Sequence, residues 1–177
     1  QQVWIVFNGE IYGFQRLRKE LEKAGVKFKT TSDTEVILKA YLQWDDAFID
    51  RIDGMFAIGI YDRRCEQLKL FRDRAGIKPL YYFWNQDHFA FASELKALLT
   101  CPAVSREINP QAIESYLSFL WSPAPQTMFK NIHKLQPGHA LIIKDADIKK
   151  HWQYYDLPLG VSKLPHSENT IATELAE

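Results

Sequence analysis

The chain has 177 residues, 46% hydrophobic and 14% aromatic, which suits one domain or slightly more with a real core. Lys+Arg and Asp+Glu both total 22, and this zero formal charge argues against nucleic acid or an anionic membrane as the main partner. No apolar run approaches the ~20 residues of a spanning helix. The two cysteines lack C-x-x-C spacing and the five histidines are scattered, which argues against a disulfide framework or metal site and fits a reducing cytoplasm.

Residues 3–7, VWIVF, predict a strand buried on both faces, because the apolar run is unbroken. Residues 14–24 predict a helix with Phe14, Leu17, Leu21 and Ala24 on one face and Gly25 as its stop. VKFKT (26–30) predicts a short strand. Ser32 with Glu35 three residues on forms a capping-box pattern, starting a helix whose apolar residues include Val36, Leu38, Tyr41 and Leu42. A further helical turn runs over 45–53 and ends at Asp53-Gly54.

From Met55 the period changes to two. MFAIGIYD, QLKLFRD, LYYFW and HFAFAS predict four consecutive strands of an antiparallel meander. Helices follow over 94–99 and 109–120, with Pro110 in the first turn of the second. HALIIK and IKKHWQYY predict a hairpin around Asp145. Residues 157–177 predict a Pro/Gly-containing linker and the first helix of a further domain. The order of elements is α+β, with no βαβ alternation.

Three places could carry chemistry. Asn8-Gly9 is either a turn dipeptide or a side-chain amide and backbone N–H that together form an oxyanion hole. Asp33 is either a helix-cap carboxylate or a partner for a substrate ammonium. Arg72, Asp73, Arg74 and Lys78 crowd the connection FRDRAGIKPLYY, and this density predicts an internal salt-bridge network.

The blocks FNGEIYGF, SDTEVILKAYLQW, GMFAIGIYDRR, LFRDRAGIKPLYY and FAFASELKALL, in this order and spacing, resemble the glutamine-hydrolysing domain of asparagine synthetases. That domain is a class II glutamine amidotransferase of the N-terminal-nucleophile hydrolase fold. The resemblance runs from about Val3 to about Trp152. It implies a four-layer αββα sandwich, with the amidotransferase domain over residues 1–156 lacking its first strands and nucleophile. It implies an oxyanion hole at Asn8 and Gly9, a glutamine site lined by Glu10, and Asp33 holding the substrate α-ammonium.

The nucleophile of the family is an N-terminal cysteine. Neither Cys65 nor Cys101 matches its position, so the expectation is that this chain alone does not hydrolyse glutamine. No cofactor is expected in this domain; ATP and Mg belong to a synthetase domain beyond it. Glutamine is the expected partner and a homodimer is possible. The alternatives are a related enzyme with another acceptor or an inactive homologue acting as a binding module. Without its first strands, one sheet should be open and expose apolar surface. Gly13 stands where the family usually has Asn, which puts a loop contact in question.

Overall fold

The computed structural model describes residues 2–158. Two antiparallel sheets stack between layers of helix, which is the αββα arrangement of the N-terminal-nucleophile hydrolases. The first sheet runs β1 (Val3–Ile11), β2 (Gly54–Asp62), β3 (Gln67–Arg72), β7 (His139–Lys144), β8 (Asp147–Gln153) in spatial order. The second runs β5 (His88–Ala92), β4 (Tyr81–Asn85), β6 (Ile132–Lys134).

Period-2 side chains sort themselves between three apolar layers. Val3, Ile11, Phe56, Ile58, Ile60 and Phe71 face helices α1 (Phe14–Lys23) and α2 (Asp33–Trp44), meeting Leu17, Leu21, Ile37 and Tyr41. Ala57, Leu70, Leu141 and Ile143 face the second sheet and meet Leu80, Tyr82, Phe89 and Phe91. Phe83 and Ile132 point outward from the second sheet, against Leu95 and Leu98 of α3 (Leu95–Leu98) and Val104. Each fully buried Leu, Ile or Phe here contributes about 1.5–3 kcal/mol.

The four-strand meander is corrected to two hairpins in different sheets. The connection 73–80 carries the chain from one sheet to the other. Its backbone has no ladder partner there, so charged side chains supply one. Asp73, fully buried, accepts hydrogen bonds from the N–H groups of Phe56, Ala75, Ile77 and Lys78. Arg72 donates to the carbonyls of Gly76, Lys78 and Leu135. The predicted salt-bridge network is therefore not what these charges make: Arg72 and Asp73 bind backbone, and Arg74 lies over the Tyr155 ring with Asp53 as its ion-pair partner, at 3.8 Å.

Four local expectations also change. The first strand continues to Ile11 and is buried on one face only, with Trp4 and Val6 41% and 58% exposed. β1 is an edge strand of its sheet among the described residues. VKFKT forms no strand, because Glu35 takes the N–H groups of Lys29 and Thr30 and Arg18 takes the Thr30 carbonyl. That leaves the capping box half made: Ser32 Oγ accepts from Glu35 N at 3.3 Å, while the Glu35 carboxylate goes to residues 29 and 30. The buried face of α2 is Val36, Ile37, Ala40 and Tyr41, with Leu42 exposed.

Other details agree with expectation. Gly25, at φ +86°, ends α1, with Val26 N bonded to Leu21 O and Gly25 N to Glu22 O. A 3-10 turn spans Asp45–Arg51. Asn109 caps α4 (Pro110–Phe119), with Pro110 in its first turn. Asp145 and Ala146, both left-handed, turn the last hairpin. Gly13 is left-handed at φ +59°, a conformation Asn also tolerates. The expected helix at the chain's end lies outside the described residues. Among the described residues no helix is long and apolar enough to cross a membrane.

A charged cluster pins β2 and β3 to α2. Tyr41 donates to buried Asp62 at 2.8 Å, Arg64 grips the same carboxylate through Nε and Nη2, and buried Lys69 reaches Asp45 and Asp46. The Arg64 guanidinium, against some desolvation and with help from Tyr41, holds the Asp62 carboxyl down at about 2. A depressed carboxylate stabilises the fold above its unfolded value near 3.8, and that contribution is lost as pH falls through 2. Arg64 is 43% exposed, so solvent screening reduces the contribution to roughly 1–2 kcal/mol. Asp62→Asn should cost that much in urea unfolding at pH 7 and much less at pH 2. An equal cost at both pH values would contradict the linkage.

Candidate active site

Asn8, Gly9 and Glu10 do not end β1. They lie inside it, paired with Ala57, Phe56 and Met55 of β2. The turn alternative for Asn8-Gly9 is therefore incorrect. Gly9 is required there for a steric reason. Its φ is +150°, and a Cβ would stand 2.0 Å from the Met55 carbonyl oxygen and 2.8 Å from Phe56 Cα.

The ladder's alternation decides where the backbone groups point. Phe56, opposite Gly9, spends its N–H and its C=O on Asp73, on the side away from β1. Gln2 and Tyr12 bond toward β2, to Arg63 N and Asp53 O, whereas Ile11 N points the other way, to Asp33 Oδ2 at 3.4 Å. By the same parity the Gly9 N–H lies on the outer edge of the sheet. It has no hydrogen-bond partner among the described residues.

The side chains of Asn8 and Glu10 lie on the opposite face from Phe7 and Ile11, the face turned toward the second sheet. Asn8 is exposed at the mouth of an inter-sheet cleft of about 360 Å³ lined by Val6, Gly59, Leu80, Phe91 and Ser93. Its Nδ2 donates to Ser93 Oγ at 3.0 Å. Glu10 is exposed beside it.

Asp33 opens α2, capped by Ser32, and is half-buried. Its Oδ1 accepts from Thr34 N at 2.7 Å. The longer bond from Ile11 N to Oδ2 ties it to the end of β1. Residues 22 positions apart thus meet: one strand presents an amide, an edge N–H and a carboxylate, and the first turn of a helix brings a second carboxylate to its end. A negative carboxylate at a helix N-terminus interacts favourably with the helix dipole. Fixed donors next to fixed carboxylates suit a ligand that carries both a carbonyl and a cation.

Neither cysteine joins this group. Cys65 follows Asp62, which pairs with Val3, so it lies beyond the far end of β1, about 15–20 Å of strand from Asn8. Cys101 packs in the apolar layer outside the second sheet. Among the described residues no group of three or more His, Cys, Asp or Glu could hold a metal ion. Ser93 was not singled out from the sequence. Its signal is only that it continues the phase of β5, and phase has no meaning until the sheet that β5 faces is known.

The same stacked-sheet architecture recurs in the solved glutamine phosphoribosylpyrophosphate amidotransferase of Bacillus subtilis, with a TM-score of 0.61 and 20% identity over 88% of this chain and 30% of that one. The family model of the glutamine amidotransferase domain matches residues 1–155, and the chain belongs to that family. It is 42% identical over 146 residues to asparagine synthetase [glutamine-hydrolyzing] 1 of Bacillus subtilis, covering 82% of this chain and 23% of the relative. It is 36% identical over 154 residues to asparagine synthetase [glutamine-hydrolyzing] 3 of the same organism, covering 86% of this chain and 25% of the relative. It is thus homologous to the amidotransferase domains of asparagine synthetases, and it spans about a quarter of the length of these relatives.

Proposed function

We propose that this chain supplies the glutamine-binding and oxyanion-stabilising part of the amidotransferase domain of an asparagine synthetase, which releases ammonia from the glutamine side-chain amide. The single observation behind the site assignment is the juxtaposition in β1: an unpartnered Gly9 N–H on the sheet edge beside the Asn8 amide, with Asp33 tied to the same strand end at Ile11. Asn8 Nδ2 and Gly9 N stabilise the oxyanion of the tetrahedral intermediate. Glu10 lines the glutamine site. Asp33 receives the α-ammonium, where charge complementarity is reinforced by the helix N-terminus's preference for an anion.

The nucleophile is the family's N-terminal cysteine thiol, not Cys65 or Cys101; its addition to the amide carbon forms the tetrahedral intermediate, collapse of which expels ammonia and leaves a thioester that water hydrolyses to glutamate. The ammonia then serves an ATP- and Mg-dependent synthetase domain, outside this chain, that amidates aspartate. The proposal places the protein in the cytoplasm, as a possible homodimer with no nucleic acid or membrane partner.

Asp33→Asn tests the substrate assignment. In the full-length protein it should raise the KM for glutamine by roughly 10- to 100-fold, the cost of losing an ion pair to a charged group, with kcat changed far less. Synthesis driven by added ammonia should be unaffected, because it bypasses the glutamine site. An unchanged KM would remove Asp33 from that site.

A further inference from the structure

Asn8 lies in the first sheet and Ser93, 85 residues away, directly follows β5 of the second, yet Asn8 Nδ2 donates to Ser93 Oγ at 3.0 Å across the cleft mouth. Three features of the packing bring the hydroxyl there. Phe89 and Phe91 of β5 point between the sheets, and position 93 continues their phase. Gly59 lets Phe91 lie close on β2, since a Cβ there would stand 2.8 Å from the Phe91 ring. Pairing of Ala92 with Tyr81 anchors the residue before, and Glu94 begins the turn into α3.

A carboxamide has two N–H donors and one acceptor, and its terminal torsion is soft. An unrestrained amide can turn its oxygen toward a ligand, and an oxygen facing a developing oxyanion repels it. One N–H engaged by Ser93 sets the plane of the group and leaves the second N–H for the ligand. We propose that Ser93 is a positioning residue, holding the Asn8 amide in the orientation that an oxyanion requires. The proposal rests on the oxyanion-hole assignment of Asn8 given above. Ser93 acts through Asn8 and has no contact of its own with the reacting atoms.

The test is a double-mutant cycle on glutamine hydrolysis in the full-length protein. Ser93→Ala should lower kcat about fivefold to tenfold, the effect of one net hydrogen bond, with KM within about twofold. Ser93→Thr, which keeps the hydroxyl, should restore most of the loss. In an Asn8→Ala background Ser93→Ala should have no further effect. A wild-type rate for Ser93→Ala beside a crippled Asn8→Ala overturns the positioning role and leaves the Asn8 assignment intact. A rise in KM alone, or effects of the two substitutions that multiply, also overturns it. A wild-type rate for Asn8→Ala itself removes the oxyanion-hole assignment instead.

Discussion

Replacing Asn8 by alanine in the full-length protein should lower kcat for glutamine hydrolysis by roughly 100- to 1000-fold, the usual effect of removing one preorganised oxyanion donor. KM should change little, because the amide is bonded more strongly to the oxyanion than to the ground-state carbonyl. Asn8 is exposed at the cleft mouth and, among the described residues, its side chain hydrogen-bonds only to Ser93, so its loss should leave stability nearly unchanged. Synthesis driven by added ammonia should proceed at the wild-type rate. Steady-state kinetics with glutamine and with ammonium chloride separates these effects. A glutamine-driven kcat within threefold of wild type would exclude Asn8 from the oxyanion hole.

Gly9→Ala should act on the same site by a different route, through the fold. The new methyl group would meet backbone, the Met55 carbonyl at 2.0 Å, and no rotamer change can relieve that. Its φ of +150° adds strain for any L side chain. Overpacking and backbone strain together should cost about 3 kcal/mol or more. Relief requires β1 to move off β2, so amides of both strands should lose hydrogen-exchange protection along with the global loss seen in urea. Gly59→Ala is the informative comparison. Its methyl group meets only the side chains of Phe91 and Val6, which can shift, so the loss should be smaller. Equal costs for the two variants would mean that the Gly9 contact is not what limits β1.

The first strand shows how far sequence reading reaches. VWIVF was legible as β structure, but its unbroken apolar run suggested two buried faces. The structure buries one, because β1 lies at a sheet edge and its second face opens on the inter-sheet cleft. Asn-Gly is turn chemistry in isolation, and only pairing with β2 turns it into strand. VKFKT failed for a related reason: Glu35 satisfies its backbone before a sheet can. β6, three residues long, is too short to show a period and exists because β4 offers it an edge.

Local patterns alone were enough for the helices and their ends. The spacing of Leu17 and Leu21, the glycine after α1, Ser32 before α2 and Asn109-Pro110 before α4 each act within a few residues, so they can be read without knowing the rest of the chain. Five ordered blocks were enough for the family. The assembly of the site is different. Whether a backbone N–H is spent or available depends on which strand lies opposite, as the Gly9 and Phe56 pair shows. The parity of β1 and β5, the stacking of their sheets and the close approach at Gly59 bring Asn8 and Ser93 together. These are relations between distant segments. Sequence named Asn8, Gly9, Glu10 and Asp33 as candidates; only strand pairing and the stacking of two sheets decided which of their atoms face one another and brought Ser93 to Asn8.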